Sequence, residues 1–251
     1  MQTAISTNFS RYPSMSNSCF KFKKFEIHQD RCAMKVGTDG VLLGAWAEGG
    51  KRILDIGCGT GLISLMMAQR FPLSHITGID IDNDACLQAS ENITASPLAS
   101  HIEIVCSPVQ DFNAPRFDSI VSNPPFFVNS LASPDAKRNL ARHSSSLPFS
   151  DLFAGVDRLL AENGVFSAII PIEAEEEFAS EAFLRRLRPH RRILVKTTSR
   201  KRPKRVLMSF SRGSVPPVNG EVFGATSTLL QLDGKPTDWY QELTADFYVS
   251  L

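Results

Sequence analysis

Three observations predict an α/β fold: a mainly parallel seven-stranded sheet, helices on both faces, and an antiparallel hairpin at one end. From Arg52 onward, short apolar strands alternate with helices whose apolar residues recur at three- and four-residue spacing. Those strands are apolar along most of their length, as strands covered on both faces must be. The last two are joined only by "SRKRPK" (Ser199 to Lys204), a link short enough for an antiparallel hairpin.

Residues 1–19, rich in Ser, Thr and Asn, read as a flexible arm, and 20–251 as a single domain. "FKFKKFEIHQD" (Phe20 to Asp30) alternates apolar and charged residues, like a short edge strand or hairpin. "RCAMKVGTDGVLLGAWA" then passes through a glycine-punctuated stretch into a helix-like piece. "RILDIG" is the first sheet strand and "TGLISLMMAQR" its helix; "HITGIDI" is the second strand. "NDACLQASENIT" is a helix with Asn83 as N-cap and Asp84 in its first turn. "IEIVC" and "DSIVSN" are the third and fourth strands. "SDLFAGVDRLLAEN" is a helix closed by Asn163-Gly164, followed by the strand "VFSAIIP". "EAEEEFASEAFLRRL" carries acids in its first turn and arginines in its last, as the helix dipole favours. "RRILVKTT" and "RVLMSFS" complete the sheet. Beyond Arg212 come one short strand, "TLLQL", and an amphipathic end, "WYQELTADFYVSL".

With 43% hydrophobic and 21% charged residues, the chain is ordinary globular material rather than a disordered one. Net charge is only +1, yet 11 of the 27 Lys/Arg lie between Arg185 and Arg205, with no acid from Ala182 to Gly220. That local excess suits phosphate contacts or a solvated surface. Five cysteines without a CxxC pair, and five scattered histidines, favour reduced thiols and no metal site. With no apolar segment at the start and no membrane-length run, the expected location is the cytoplasm. The oligomeric state stays open, a monomer being favoured.

The chemistry sits in "LDIGCGTG" (Leu54 to Gly61), "GIDID" and "NPPF" (Asn123 to Phe126). Gly57, Gly59 and Gly61 let backbone approach a ligand where the strands end. A dinucleotide fingerprint would need glycine at Leu62 and fails there. Asp55, beside the loop, would repel a pyrophosphate and welcome a cationic ligand. Asp80, at the end of the second strand, is placed to take both hydroxyls of a ribose. Adenosine with a positive amino-acid tail meets both demands, which points to S-adenosylmethionine. Asn123, Pro124 and Pro125 end a strand that proline cannot continue, projecting an amide and carbonyls beside the ring of Phe126. The two carbonyls would accept the N–H groups of a planar amine, and Phe126, with Phe127 near it, would stack its ring.

Through these motifs the chain resembles the class I SAM-dependent methyltransferases, a Rossmann-like fold in which the Asn-Pro-Pro-aromatic motif marks methylation at a planar amino group. From Phe20 to the end it further resembles the bacterial tRNA1(Val) adenine-37 N6-methyltransferases, through "FKFKKFEIHQDRCAMKVGTDGVLLGAWA", "RPKRVLMSFS" and "LTADFYVSL". That resemblance implies that segment 20–50 covers the cofactor through Lys35, Val36, Thr38 and Asp39, and that an anticodon-loop adenine of tRNA is methylated. It implies cofactor contacts at Ile81, and at Val109 through its backbone, with Asp111 the other reading for the adenine. Many class I relatives carry an acid just after the third strand, where Ser107 stands, and members of the closer family usually have Tyr where Phe126 stands. Arg200, Lys201, Arg202, Lys204 and Arg205, with Arg138 and Arg142 in "AKRNLARHSSS", are the candidate RNA contacts; His143 reads as structural or as a phosphate contact. The alternatives are guanine N2 in rRNA, glutamine N5 of a release factor, or a non-catalytic SAM-binding RNA-assembly factor.

Overall fold

The computed structural model describes residues 18–32, 35–125, 147–213 and 223–249. In chain order it contains β1 (Cys19–Lys21), β2 (Glu26–His28), α1 (Thr38–Trp46), β3 (Arg52–Ile56) and α2 (Leu62–Arg70). Then follow β4 (His75–Asp80), α3 (Asn83–Thr94), β5 (Ile102–Cys106), β6 (Phe117–Ser122), α4 (Phe149–Leu159) and β7 (Leu160–Pro171). The chain continues through α5 (Glu175–Leu184), β8 (Arg188–Thr198), β9 (Arg205–Ser211), β10 (Ala225–Leu230) and α6 (Asp238–Thr244).

The main sheet has the order β10-β8-β9-β7-β6-β3-β4-β5, and β1 pairs with β2 antiparallel in a separate hairpin. Every pairing in the main sheet is parallel except those of β9 with β7 and β8. The expected end hairpin is therefore present as β8–β9, but it is not the edge. An eighth strand, β10, runs parallel to β8 and takes its open side. Its sequence, "ATSTLL", is half-exposed and weakly apolar, which is why "TLLQL" carries too little signal to be joined to the sheet.

Several boundaries differ from the sequence expectation; β8, for one, starts at Arg188 rather than Arg191. Helix α4 stops at Leu159, and Asn163-Gly164 lies inside β7, where the register against β6 slips between Phe117 and Ser119. The N-cap of α3 is Asp82, whose side chain accepts from the Asp84 N–H, so Asn83 is the first helical residue. Helix α5 ends at Leu184, leaving Arg185 and Arg186 beyond it, with Arg186 at φ 59.

Both faces of the sheet are covered. On one, α4 and α5 bury Phe153 and Phe178 against Phe166 and Phe210 of the sheet. The ring centroids of Phe153 and Phe178 lie 4.7 Å apart at a steep angle, the edge-on geometry aromatic pairs favour. On the other, α1, α2 and α6 place Leu42, Met67 and Tyr240 over Ile53, Ile169 and Leu207. The β1–β2 hairpin joins this layer: Phe22 and Ile27 pack with Val41 of α1 and Met66 of α2. The hairpin is thereby carried by the same helices that flank the glycine loop.

The contact between α1 and α2 depends on Gly44, where a Cβ would lie 2.7 Å from Met66 Sδ and 2.9 Å from its Cβ. Gly44→Val is expected to lose about 1–3 kcal/mol of stability through overpacking. Urea unfolding should show a lower midpoint with an unchanged slope.

Candidate active site

The first three inner strands, β3, β4 and β6, run parallel and end on one edge of the sheet. Beyond their ends lies a cleft of about 810 Å³, within the range that holds a small ligand. Its floor is the loop after β3. Gly57 N–H and Cys58 N–H both donate to Ile79 O, at 2.8 and 3.0 Å, and Gly59 N–H donates to Asp80 Oδ2 at 2.9 Å. The loop is thus clamped onto the end of β4. Gly57 (φ 75) and Gly59 (φ 53) take left-handed conformations, and a Cβ on either would meet no atom within 4 Å. Their backbone is the bare wall of the cradle.

Gly61 differs. It lines no part of the cleft; at φ 79 it starts α2, and a Cβ there would press on Ala89 of α3 at 3.3 Å. Asp55 also lies off the cleft surface, fully buried beneath the loop. Its Oδ2 accepts from Ser64 Oγ at 2.7 Å, while Oδ1 is buried with no partner among the described residues. Burial, and secondarily the charge of Asp80, raises its carboxyl to about 7. A buried acceptor without a partner is the feature a cationic group would satisfy.

Asp80 stands at the mouth, its Oδ1 accepting from the Asp82 N–H at 3.0 Å. Ile81 beside it is 62% exposed, an apolar face open to a flat ring. Across the cleft, Val109 is buried and lines the wall, with Ser107, Pro108 and Gln110 near it. Asp111 is exposed and absent from the lining, so the segment after β5 meets the cleft through Ser107 to Gln110. Arg158 holds that segment by donating to Val109 O at 2.6 Å and to Phe112 O.

The roof is the segment that leads into α1, together with the helix's first turn. Lys35, Val36, Thr38 and Asp39 all line the cleft. Val36 N–H donates to Gln29 Oε1 at 2.7 Å. Asp39 is held by Arg205, whose Nε lies 2.7 Å from its Oδ2. In the sequence Arg205 falls among the RNA-facing cations; in the structure it is a partner that ties β9 to the start of α1. Cys32 and Cys58 line the cleft as well, and burial raises both thiols, Cys32 to about 11. Sequence reasoning gives Cys32 no role, and nothing in its neighbourhood marks it out.

Asn123, Pro124 and Pro125 enter the cleft directly from the end of β6. Ser122 fixes that exit by donating to Ile56 O at 2.8 Å. Phe126, Phe127, Arg138, Arg142 and His143 lie outside the described residues. The basic stretch divides in two. Arg191, Arg192 and Arg185 are engaged by Glu48, Glu175 and Glu181, acids that lie far away or on the preceding helix. Arg200, Lys201, Arg202 and Lys204 are exposed in the β8–β9 turn. Because β8 is parallel to the inner strands through β7 and β9, that turn lies on the same sheet edge as Asn123. Among the described residues, Cys19, Glu26 and His28 gather as metal-ligand types on the outer hairpin, where Glu26 is paired with Lys21 at 2.8 Å.

Asp55 yields a signed prediction. Its carboxyl is raised in the folded state, so the native protein holds the extra proton and stability falls as pH climbs from about 4 to about 7. Asp55→Asn should therefore raise the melting temperature of the ligand-free protein at pH 8 and change it little at pH 4. Thermal unfolding at both values checks this.

Comparison with known proteins agrees with the geometry. A family model described as "Methyltransferase small domain" matches residues 36–147. A solved structure described as a predicted O-methyltransferase from Agrobacterium tumefaciens superposes with a TM-score of 0.63 at 18% identity, covering 83% of this chain and 96% of that one, a likeness of fold. A protein of Parabacteroides distasonis named tRNA1(Val) (adenine(37)-N6)-methyltransferase is 43% identical over 245 residues, 94% of this chain and 100% of its own. One of Bacteroides fragilis with the same name is 50% identical over 206 residues, 78% of this chain and 85% of its own. The chain belongs to the family of bacterial tRNA1(Val) (adenine(37)-N6)-methyltransferases.

Proposed function

We propose that this protein methylates N6 of adenine 37 in tRNA1(Val), with S-adenosylmethionine as donor, in the cytoplasm. The observation that carries the reading is the meeting, in one cleft, of the clamped glycine loop, Asp80 and the Asn123-Pro124 exit from β6, above an Asp55 oxygen that has no partner among the described residues. The names of relatives at 43% and 50% identity support adenine N6 over guanine N2 or glutamine N5.

The residues present fit that donor. Asp55 Oδ1 offers a buried negative partner to a cationic amino group, and a ligand cation there would draw the carboxyl to its charged form. The Asp80 carboxylate at the cleft mouth would hold the ribose hydroxyls. Ile81, Val109, Lys35, Val36 and Thr38, which line the cleft, would hold the purine of the donor. When bound, the donor supplies an electrophilic methyl on a sulfonium whose leaving group is neutral.

The chain's own task is placement. The Asn123 side-chain carbonyl and the Pro124 backbone carbonyl each accept one N–H of the adenine amine. They pull the lone pair out of conjugation and aim it at the methyl. Bound there, the donor would supply the methyl that the nitrogen takes as the sulfur–carbon bond breaks, and the surplus proton would pass to water. Stacking of the adenine falls to Phe126, the aromatic of the motif. An anticodon-loop adenine is already partly unpaired, so turning it into the cleft costs less than in a duplex. Arg200, Lys201, Arg202 and Lys204, with Arg138 and Arg142, hold the phosphates around it.

Two measurements test the reading. Asn123→Ala should lower single-turnover methyl transfer about 100-fold while leaving S-adenosylmethionine binding unchanged. Wild-type rates in that variant would overturn the proposed role. Replacing Arg200, Lys201, Arg202 and Lys204 by Ala should flatten the salt dependence of tRNA binding, by about 0.7–0.9 in the log–log slope for each phosphate no longer neutralised. An unchanged slope would move the RNA elsewhere.

A further inference from the structure

Helix α3 buries two amides, Gln88 and Asn92, each 1% exposed and one turn apart on the same side of the helix. Buried amides need partners, and these find theirs outside their own helix. Asn92 Oδ1 accepts from His28 N–H at 2.9 Å, and its Nδ2 donates to His28 O and to Thr60 O, each at 2.9 Å. Gln88 Oε1 accepts from Arg31 N–H at 3.1 Å. His28 and Arg31 belong to the strap that leaves β2 (residues 28–32), and Gln29 within it holds the roof residue Val36. Thr60 belongs to the glycine loop. A single amide thus grips the strap by both backbone groups of one residue and the loop by a carbonyl. Only this orientation of the amide satisfies all three partners, since the reverse would face NH2 against an N–H.

We propose that Asn92 is a positioning residue that couples the strap to the glycine loop, so that shaping the cradle and closing its roof are one event. It touches no part of the cleft surface and acts through Thr60 and His28. The inference rests on the reading that the cleft holds S-adenosylmethionine.

The test is calorimetric titration of the purified protein with S-adenosylmethionine, joined to hydrogen exchange at the backbone amides of His28 and Arg31. Asn92→Ala should weaken binding about tenfold or more and speed exchange at His28, while kcat at saturating donor stays within twofold. Asn92→Asp, of the same shape but with oxygen facing two carbonyls, should do no better. Gln88→Ala frees Arg31 alone and should weaken binding by less than threefold. Equal losses from Gln88→Ala and Asn92→Ala would overturn the coupling, as would unchanged binding in Asn92→Ala. Should that variant not fold, the wild type still decides: donor binding must slow exchange at His28, and unchanged exchange there refutes the proposal. A wild-type protein that does not bind the donor at all refutes the cofactor reading instead.

Discussion

The site depends on the clamp between the first loop and the end of β4. Three consecutive backbone N–H groups, from Gly57 to Gly59, are taken up by Ile79 O and the Asp80 carboxylate. Parallel pairing of β3 with β4 brings those groups level, with Asp55 opposite Gly78 and Ile56 opposite Ile79. Once the loop is held there, its glycines face outward, Asp55 is sealed beneath it, and α2 starts at a fixed angle. A slip of one residue between the two strands would turn every side chain to the other face and dissolve the arrangement.

Electrostatics then select the ligand. Asp80 and Asp82 stand at the mouth, and Asp55 lies below with one oxygen unpartnered, whereas Asp39 is already neutralised by Arg205. Lys35 is the cation that lines the cleft among its described residues. Such a cleft opposes a pyrophosphate and suits a ligand with a positive tail. The exposed cations lie farther out, on the β8–β9 turn, at the same edge of the sheet. Opposite charges are thus sorted by depth: acids at the small cationic ligand, bases where a polyanion would rest.

Much of this is legible in the sequence, for physical reasons. The inner strands are short apolar runs between glycine or proline stops, and β5 and β9 fall at the residues their patterns mark. Asn123-Pro124-Pro125 ends β6 because proline cannot extend a ladder, and that rule needs no tertiary information. What the sequence hides depends on distant partners. Arg205 looks free there because Asp39 lies 166 residues away, and Arg192 because Glu175 belongs to another element. The amides of Gln88 and Asn92 give no signal in the sequence, because their partners His28, Arg31 and Thr60 lie 64, 57 and 32 residues away. Gly61 reads as part of the cradle, yet it lies off the cleft lining, where a Cβ would press on Ala89.

The central claim is that this cleft places the amine of one tRNA adenine against a sulfonium methyl. It is tested most directly by incubating the protein with labelled S-adenosylmethionine and total tRNA from cells lacking the endogenous activity, then digesting the RNA and identifying the labelled nucleoside. The account predicts N6-methyladenosine, mapped to position 37 of one valine tRNA. Labelled N2-methylguanosine, or label recovered only in ribosomal RNA or protein, would contradict it.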